Sequence, residues 1–266
     1  MTKRAKIFAV VNQKGGVGKT TTVVNLATSF AATKKKTLVI DFDPQGNAST
    51  GFGIFQSQRQ KTIYDAIVGE AEMIDVVMPH KLPNLHIITS TVDLSACEVE
   101  LATIEKREYR LRFLLKDLVH KYDVIIIDCP PSLGLLTINA LVAADLVLIP
   151  MQCEFFALEG LSHLLTSLDL IKDNLNHHLK ISGIILTMHD RRNKLTEQVE
   201  LDVRHFLKDK VFKHSVPRNV RLSEAPSHGL PGIIYDPRSM GAVAYMKLAK
   251  EIMEREDLVG DGKSHR

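Results

Sequence analysis

The sequence predicts an α/β fold in which a doubly wound, mostly parallel sheet is flanked by helices. Short runs rich in Val and Ile are apolar on both faces, as strands of a covered parallel sheet are. Longer segments with helical spacing alternate with these runs, which is typical of repeated strand–helix units. A glycine-rich loop joins the first predicted strand to the first predicted helix. The chain of 266 residues is long enough to bury a large core.

The predicted strands are 7–11, 37–41, 85–89, 123–128, 145–150 and 181–188. The predicted helices are 20–32, 95–120, 158–175, 194–207 and, near the end, about 238–255. The last of these carries an apolar stripe that predicts packing against the core. We interpret residues 1–266 as a single domain, with a polar tail from about 257 to 266 that we expect to be disordered.

Composition excludes several classes of protein. Three widely spaced cysteines without a C-x-x-C pair argue against a disulfide framework or a zinc site. The first apolar run has only five residues, too few for a secretory signal, and an acidic residue interrupts the longest apolar stretch. The net charge of +3 is too weak by itself to indicate nucleic-acid binding. We expect a soluble, cytoplasmic protein with no membrane partner.

The stretch "NQKGGVGKTTT" predicts a phosphate-binding loop that departs from the usual G-x-x-x-x-G-K-[ST] pattern. Glutamine stands where the first glycine is expected, and a second lysine, Lys14, follows it. Glycines let backbone N–H groups curl around a phosphate, and the helix that follows directs its positive N-terminus at the same point. We expect Lys19 to neutralise phosphate oxygens and Thr20 to bind Mg²⁺. The predicted nucleotide-binding residues of the loop are Lys14, Gly15, Gly16, Val17, Gly18, Lys19, Thr20 and Thr21.

Carboxylates follow two of the other predicted strands. Asp41 and Asp43 end the stretch "TLVIDFD", and Asp128 ends "DVIIID". A carboxylate after four apolar strand residues is the Walker B arrangement, in which Asp128 would hold Mg²⁺ through water. Asp43 lies in a Pro-Gln-Gly loop, from which it could approach an attacking water. The sequence therefore predicts a P-loop NTPase-like site that uses ATP and Mg²⁺.

Several blocks of sequence together resemble one family. "KGGVGKTT", "DFDPQGNAS", "DVIIIDCPPSLGLLTINAL", "PMQCEFFALEGL" and "VPRNVRLSEAPSHGLP" resemble the ParA/Soj ATPases that segregate chromosomes and plasmids. The resemblance runs from about residue 7 to 253, and the loop is similar to the deviant Walker A motif of the wider ParA/MinD group. It implies a homodimer that closes across two ATP molecules, with Lys14 of each subunit reaching the partner's nucleotide and Gly15 at the close approach.

The same resemblance implies roles for residues outside the loop. Asp43 is similar to the residue that orients the hydrolytic water, and Asp41 and Asp128 to supporting ligands of Mg²⁺ and water. The candidate metal-site residues are thus Thr20, Asp41, Asp43 and Asp128. Pro217, Arg218 and Asn219 resemble the segment that surrounds adenine, and Glu154 a residue near the nucleotide at the dimer face. Lys14, Lys19 and Asp43 are thus the expected catalytic residues. A cation supplied by the partner makes hydrolysis depend on dimerisation.

The family resemblance also implies DNA binding without sequence preference, by the ATP dimer alone. Residues 189–221 carry nine Lys or Arg against five Asp or Glu, so the basic excess of the chain is concentrated there. Such a patch is consistent with contacts to phosphates. The candidate DNA-binding residues are Arg191, Arg192, Lys194, Lys213 and Arg221. A ParB-like partner would stimulate hydrolysis, and the protein would associate with the nucleoid.

Three other functions stay open at this stage. A MinD-like cell-division ATPase would bind membrane through a C-terminal basic amphipathic helix with apolar anchors, whereas acidic residues outnumber apolar anchors near the end of this sequence. An iron–sulfur carrier could use Cys97 and Cys129 across a dimer, although free cysteines are often buried hydrophobes. A metabolic kinase or synthetase of the same fold would need a second substrate site, for which the sequence gives no signal.

Overall fold

Seven strands form one sheet in the computed structural model, which describes residues 4–190 and 192–259. They are β1 (Lys6–Val10), β2 (Thr37–Asp41), β3 (Val77–Pro79), β4 (Leu85–Ile88), β5 (Val124–Asp128), β6 (Leu146–Gln152) and β7 (Lys180–Thr187). Their order is β3-β4-β2-β5-β1-β6-β7, and every pair is parallel except β3 with β4. The predicted doubly wound, mostly parallel sheet is confirmed.

The α-helices cover both faces of this sheet. They are α1 (Lys19–Ala32), α2 (Asn47–Gly51), α3 (Ile63–Val68), α4 (Cys97–Glu100), α5 (Arg110–Leu114), α6 (Leu135–Ala143), α7 (Ala157–Asn174), α8 (Lys194–Leu207), α9 (Val220–Glu224), α10 (Gly232–Tyr235) and α11 (Met240–Arg255). Successive strand residues point to opposite faces. Phe8 of β1 therefore packs with Phe30 of α1 and Tyr245 of α11, whereas Ile7 belongs to the core on the other face.

The prediction of one helix over residues 95–120 is wrong. The segment contains α4, α5 and short 3₁₀ turns at Val92–Ala96, Arg107–Tyr109 and Leu115–Asp117. Its apolar spacing is real, since Leu101, Leu111 and Leu115 are all buried. Lys106 has a φ of 58°, however, and a residue in the left-handed region ends a right-handed helix.

Sequence analysis also missed strand β3 and the helices α2, α3, α6, α9 and α10, most of which are too short to show a pattern. Strand β3 has only three residues and ends in a proline, which cannot donate to a sheet. Helix α6 is buried along most of its length, so it has no polar face to give a helical period. Of the tail that was expected to be disordered, about 257–266, residues 260–266 lie outside the described residues.

The parallel strands give the sheet two different ends. At the carboxyl edge, β1, β2, β5, β6 and β7 lead into the loops that carry the predicted site residues. At the opposite amino edge, short turns lead into the same strands. Ligands of open α/β sheets bind outside the carboxyl ends of the strands. The fold therefore places the phosphate loop, the strand-end carboxylates and residues 188–190 after β7 at one edge.

Candidate nucleotide-binding site

The loop between β1 and α1 has the backbone of an anion cradle. Gly16 and Gly18 have φ values of 75° and 87°, which favour glycine because they are in the left-handed region. Gly18 is the N-cap of α1 and gives no side-chain cap to the helix. The first N–H groups of this 14-residue helix therefore have no side-chain cap and are available to a ligand. Such a group of N–H donors is well suited to bind a phosphate.

Lys19 lies at the base of this loop. Its side chain is buried, and its Nζ donates to the carbonyl oxygen of Lys14 at 3.3 Å. Burial lowers the pKa of Lys19, while the carboxylates of Asp128 and Asp43 act in the opposite direction. The ammonium group is therefore held by the loop that would surround a phosphate, close to two acids of the same site.

Asp128 and Thr20 form a second fixed pair at the carboxyl edge. The Thr20 hydroxyl donates to Asp128 Oδ2 at 2.8 Å, and the other oxygen, Oδ1, is buried without a hydrogen-bond partner. Burial and the neighbouring Asp41 raise the pKa of Asp128 well above its usual value, although the hydrogen bond from Thr20 lowers it. A buried acceptor without a partner costs free energy unless a ligand satisfies it. A hydroxyl, a carboxylate and an unsatisfied oxygen fit Mg²⁺ with its waters.

Asp41 and Asp43 differ in how their carboxylates are used. Asp41 is the register partner of Asp128 on the neighbouring strand, and its Oδ2 accepts hydrogen bonds from Ser49 N and Oγ, both at 2.7 Å. Burial raises the pKa of Asp41 to about 6, against the effect of the Ser49 bonds. The Asp43 Oδ1 accepts from Gln45 N at 2.9 Å, and the residue lines the phosphate cleft. Asp41 thus anchors the start of α2, while Asp43 faces the cleft.

Two clefts that share Gly18, Thr21 and Met188 make one continuous groove. The phosphate half has a volume of about 740 Å³ and is lined by the glycines of the loop, Lys19, Thr20 and Asp43. The other half, of about 430 Å³, is lined by the predicted adenine segment. Sequence reasoning missed the further lining residues, which are Gln45, Asn47, Pro131, Thr187, Met188, Val216, Leu222, Ser223 and Tyr245.

The half of the groove that contains the predicted adenine segment is assembled from two loops. His189 pairs with Pro217 in an isolated bridge, and Arg218 N donates to His189 O at 3.2 Å. Asn219 Oδ1 is buried in this wall without a hydrogen-bond partner. The segment 217–219 was predicted from the sequence, but the unpaired Asn219 oxygen was not. Burial of this one amide oxygen depends on how the two loops meet.

Lys14 and Glu154 meet across the mouth of the site. The Lys14 ammonium group contacts the Glu154 carboxylate, and both side chains are about half exposed, at 51% and 48%. A Cβ added to Gly15 would meet nothing within 4 Å in this chain. Contacts within the chain itself would therefore allow a side chain at position 15.

The four candidate DNA-binding residues that the structure describes, Arg192, Lys194, Lys213 and Arg221, are exposed and come from different segments of the chain. Arg192 pairs with Asp190 at 3.0 Å, and Arg221 with Glu224 at 3.0 Å, next to the 217–219 segment. Lys194 begins α8 and is exposed. Lys213 lies four residues before Pro217, and its N–H donates to Glu251. Arg191 lies outside the described residues.

All three cysteines are buried free thiols. Burial raises the pKa of Cys97 to about 12 and that of Cys153 to about 11, and it raises the pKa of Cys129 as well. Thiols in such surroundings behave as small hydrophobes. In the part of the chain that the structure describes, no His, Cys, Asp and Glu cluster of three or more could hold a metal ion. Nor does a helix in these ranges have the length and apolar character to cross a membrane.

Comparison with known proteins supports the class of the site first. Residues 5–181 match the AAA domain family. The crystal structure of cobyrinic acid a,c-diamide synthase from Mycobacterium smegmatis with bound ADP and magnesium has a TM-score of 0.84 at 30% identity, over 95% of this chain and 96% of that one. The cell division ATPase MinD from Pyrococcus furiosus has a TM-score of 0.78 at 26% identity, over 94% and 99%. The fold and the loop define a P-loop nucleotide-binding protein.

Two curated relatives then narrow this class. The chromosome partitioning protein ParA of Caulobacter vibrioides is 51% identical over 253 residues, which are 94% of this chain and 95% of the relative. The sporulation initiation inhibitor protein Soj of Bacillus subtilis is 53% identical over 247 residues, 93% and 98% of the two chains. The chain belongs to the ParA/Soj family of chromosome-partitioning proteins.

Proposed function

We propose that this protein is an ATP-hydrolysing DNA-partitioning ATPase that works as an ATP-dependent dimer. The observation that carries the proposal is the continuous groove, in which an anion cradle, a Thr20–Asp128 pair with an unsatisfied oxygen and Asp43 meet at one edge of the sheet. Relatives at 51% and 53% identity are named for chromosome partitioning and sporulation control. Structural neighbours with ADP and magnesium support both ligands.

Within one subunit, each group has a separate task. Loop N–H groups and Lys19 bind the β- and γ-phosphates of ATP, so Lys19 exchanges the Lys14 carbonyl for phosphate oxygens. Thr20 and Asp128 are the residues that would hold Mg²⁺, which neutralises phosphate charge when bound. Asp43, fixed by Gln45 N, orients the attacking water. Asp41 supports this arrangement through Ser49 rather than by direct contact with the metal.

At the other half of the groove, Pro217, Arg218 and Asn219 surround adenine. The exocyclic amine of adenine is a donor, and the buried Asn219 Oδ1 is an acceptor without a partner. A bond between them would satisfy both groups. Guanine carries a carbonyl at the same position, so the Asn219 oxygen would face another acceptor. This contact favours ATP over GTP.

The dimer is closed by groups at the mouth of the site. Lys14 contacts Glu154 of its own chain, so reaching the partner's nucleotide requires it to leave that carboxylate. The γ-phosphate of ATP is a stronger attraction for an ammonium group than a half-exposed carboxylate. Gly15, with open space around it in the single chain, is where the partner would come close.

DNA binding follows from the dimer. Arg191, Arg192, Lys194, Lys213 and Arg221 of two subunits together offer more phosphate contacts than one subunit does, and affinity rises steeply with that number. Arg192 and Arg221 are paired with acids of their own chain and must exchange these for phosphates. A ParB-like partner then stimulates hydrolysis, and the dimer leaves the nucleoid DNA.

A mobility-shift assay with random duplex DNA tests this function. We expect ATP with Mg²⁺ to raise DNA affinity well above that with ADP or no nucleotide, and the pair Arg192→Ala with Arg221→Ala to remove this increase while leaving ATP-dependent dimerisation intact. Equal affinity in all nucleotide states would refute the ATP-dependent part. Sedimentation with anionic vesicles and ATP tests the MinD-like alternative. Sedimentation of the protein with the vesicles, together with DNA affinity that ATP does not change, would favour that alternative.

A further inference from the structure

The amino edge of the sheet carries a second cluster of positively charged residues. These residues are far apart in the sequence and come together only in the fold. Turns before five strands contribute lysine or arginine there. The amino-edge surface, as we name it, consists of Arg4, Lys6, Lys34, Lys35, Lys36, Lys81, Lys121 and Lys180. All are exposed except Lys35, which is half-buried.

Backbone hydrogen bonds show that these turns are neighbours. Thr37 N donates to Asn84 O at 2.8 Å, which joins the turns before β2 and β4. Asp123 accepts from Lys36 N at 2.9 Å and from Lys6 N at 3.1 Å, which joins the turns before β2, β5 and β1. From β4 to β7 there are five strand spacings, or about 24 Å. The cations thus form a row along the edge of the sheet.

The charge of this row is not cancelled locally. Carboxylates beside the row include Asp123, Asp145 and Glu256, and Asp169 lines a cleft with Lys180. Asp145 pairs with Arg4 and accepts from Ile7 N, while Glu256 accepts from Ser182. Across residues 4–190 and 192–259, the lysines of the row form no ion pair. The eight cations of this surface exceed these carboxylates in number, whereas the whole chain has a formal net charge of only +3.

Lys34 has a backbone conformation that glycine can adopt without strain. It follows the C-terminus of α1 with a φ of 64°, and the Lys35 N–H donates to Phe30 O at 3.1 Å, as in a Schellman motif. Glycine is the usual residue at this position, since a side chain in the left-handed region costs about 1 kcal/mol or more. Replacing Lys34 with glycine would therefore remove one cation of the row without straining the backbone.

We propose that the amino-edge surface binds the phosphate backbone of duplex DNA without requiring a nucleotide. A row of about 24 Å matches about seven base pairs of duplex at 3.4 Å each. The turns 4–6, 33–36, 80–84, 120–123 and 175–180 expose no large hydrophobic side chain, whereas a membrane-surface site needs apolar anchors. Strand β1 separates this surface from the phosphate loop by its five residues, about 16 Å. This contact goes beyond the proposed function and does not depend on dimerisation.

Two lysines in the same backbone conformation provide the test. Lys34→Gly removes one cation of the row, and Lys106→Gly removes an exposed lysine with a φ of 58° on the flank of the molecule. Both variants change the net charge equally, and both relieve a left-handed side chain. A triple variant, Lys34→Gly with Lys36→Gln and Lys121→Gln, extends the series. Fluorescence anisotropy with a labelled random duplex, from about 50 to 200 mM salt, measures affinity without nucleotide and with ATP.

We expect wild type to bind DNA weakly without nucleotide, with an affinity that falls with salt. Lys34→Gly should weaken this binding, Lys106→Gly should not, and the triple variant should reduce the slope of log K against log salt by about 0.9 for each phosphate that is no longer neutralised. The Arg192→Ala and Arg221→Ala pair should lose only the increase in DNA affinity that ATP causes and should keep the nucleotide-free binding. The failure of this inference can therefore be distinguished from the failure of the proposed function. No nucleotide-free binding by wild type, or equal slopes for wild type and the triple variant, would overturn the inference. A triple variant that loses binding to anionic vesicles but not to DNA would overturn it too.

Discussion

The two edges of the sheet use charge in opposite ways. At the carboxyl edge, Lys19, Asp41 and Asp128 are buried, and each is fixed by at least one hydrogen bond within the chain. At the amino edge, the cations are solvent-exposed on short turns, and most have no acidic partner among the described residues. Folding holds a few groups in place at one edge and leaves many groups free at the other.

This difference follows from what each edge would do. Phosphoryl transfer depends on groups placed within a fraction of an ångström, so its site needs buried and oriented side chains. Contact with a DNA backbone depends on the number of neutralised phosphates and tolerates flexible side chains. Substitutions at the carboxyl edge should therefore have large and specific effects, and those at the amino edge small and cumulative ones.

The largest effect is expected at Asp43. Asp43→Ala should lower the steady-state rate of ATP hydrolysis by about 10²- to 10⁴-fold, because the group that orients the attacking water is removed. ATP affinity should stay close to that of wild type, since Lys19 and the loop remain. Phosphate release and equilibrium nucleotide binding measure the two quantities. A variant that turns over ATP at the rate of wild type would remove Asp43 from the mechanism.

Lys19→Ala should have the next largest effect, on binding rather than on turnover. Hydrogen bonds to charged groups contribute about 1.5–3 kcal/mol, so ATP affinity should fall by about 10- to 150-fold. Isothermal titration calorimetry with ATP and Mg²⁺ measures the change. Lys106→Gln, on the flank, is the control for removal of one lysine. Tight ATP binding by Lys19→Ala would contradict the placement of phosphate at the loop.

A smaller and more selective effect is expected at Asn219. Asn219→Ala should weaken ATP binding by about tenfold and leave GTP binding nearly unchanged, because only adenine would lose a hydrogen bond. Ser223→Ala, which changes another residue of the same cleft, serves as the control. Competition of ATP and GTP for a fluorescent nucleotide gives the ratio. If the ratio does not change, adenine is recognised by backbone groups alone.

The smallest effect is expected on stability at the amino edge. Lys34→Gly should change the free energy of unfolding by about 0 to +1 kcal/mol, because relief of the left-handed side chain offsets the greater freedom of glycine in the unfolded chain. Chemical denaturation at moderate salt measures it, and ATP binding should be unaffected. A decrease of more than about 1 kcal/mol would mean that Lys34 contributes to packing, and the contrast between the two edges would then be weaker than we infer.

Much of the fold could be predicted because its signals are local. Strands β1, β2 and β5 are unbroken apolar runs that end near a charged or glycine-rich loop, and their predicted bounds differ from the structure by one residue or none. The prediction of one helix over residues 95–120 was wrong because buried leucines at helical spacing are also compatible with short helices separated by a left-handed residue. Periodicity reports which residues are buried and not whether the backbone between them is continuous.

The candidate site likewise contains features that could be predicted from the sequence and features that could not. The glycine loop, Lys19, Thr20 and the strand-end positions of Asp41, Asp43 and Asp128 could be predicted from the sequence, because each is set by neighbours within a few residues. The ties between Asp41 and Ser49 and between Lys14 and Glu154 could not, and nor could the unpaired oxygen of Asn219. The Asp41–Ser49 bonds depend on how the loop after β2 folds back, and the other two features depend on packing between distant segments.

The row of cations at the amino edge depends on tertiary structure in the same way. Its members come from turns up to 176 positions apart, Arg4 to Lys180, and each turn alone carries only one to three of them. Sheet order brings these turns together, because strands that are distant in the chain become neighbours in the sheet. No local pattern of residues encodes which distant strands pair, so the sequence shows the separate lysines and the fold alone makes them one surface.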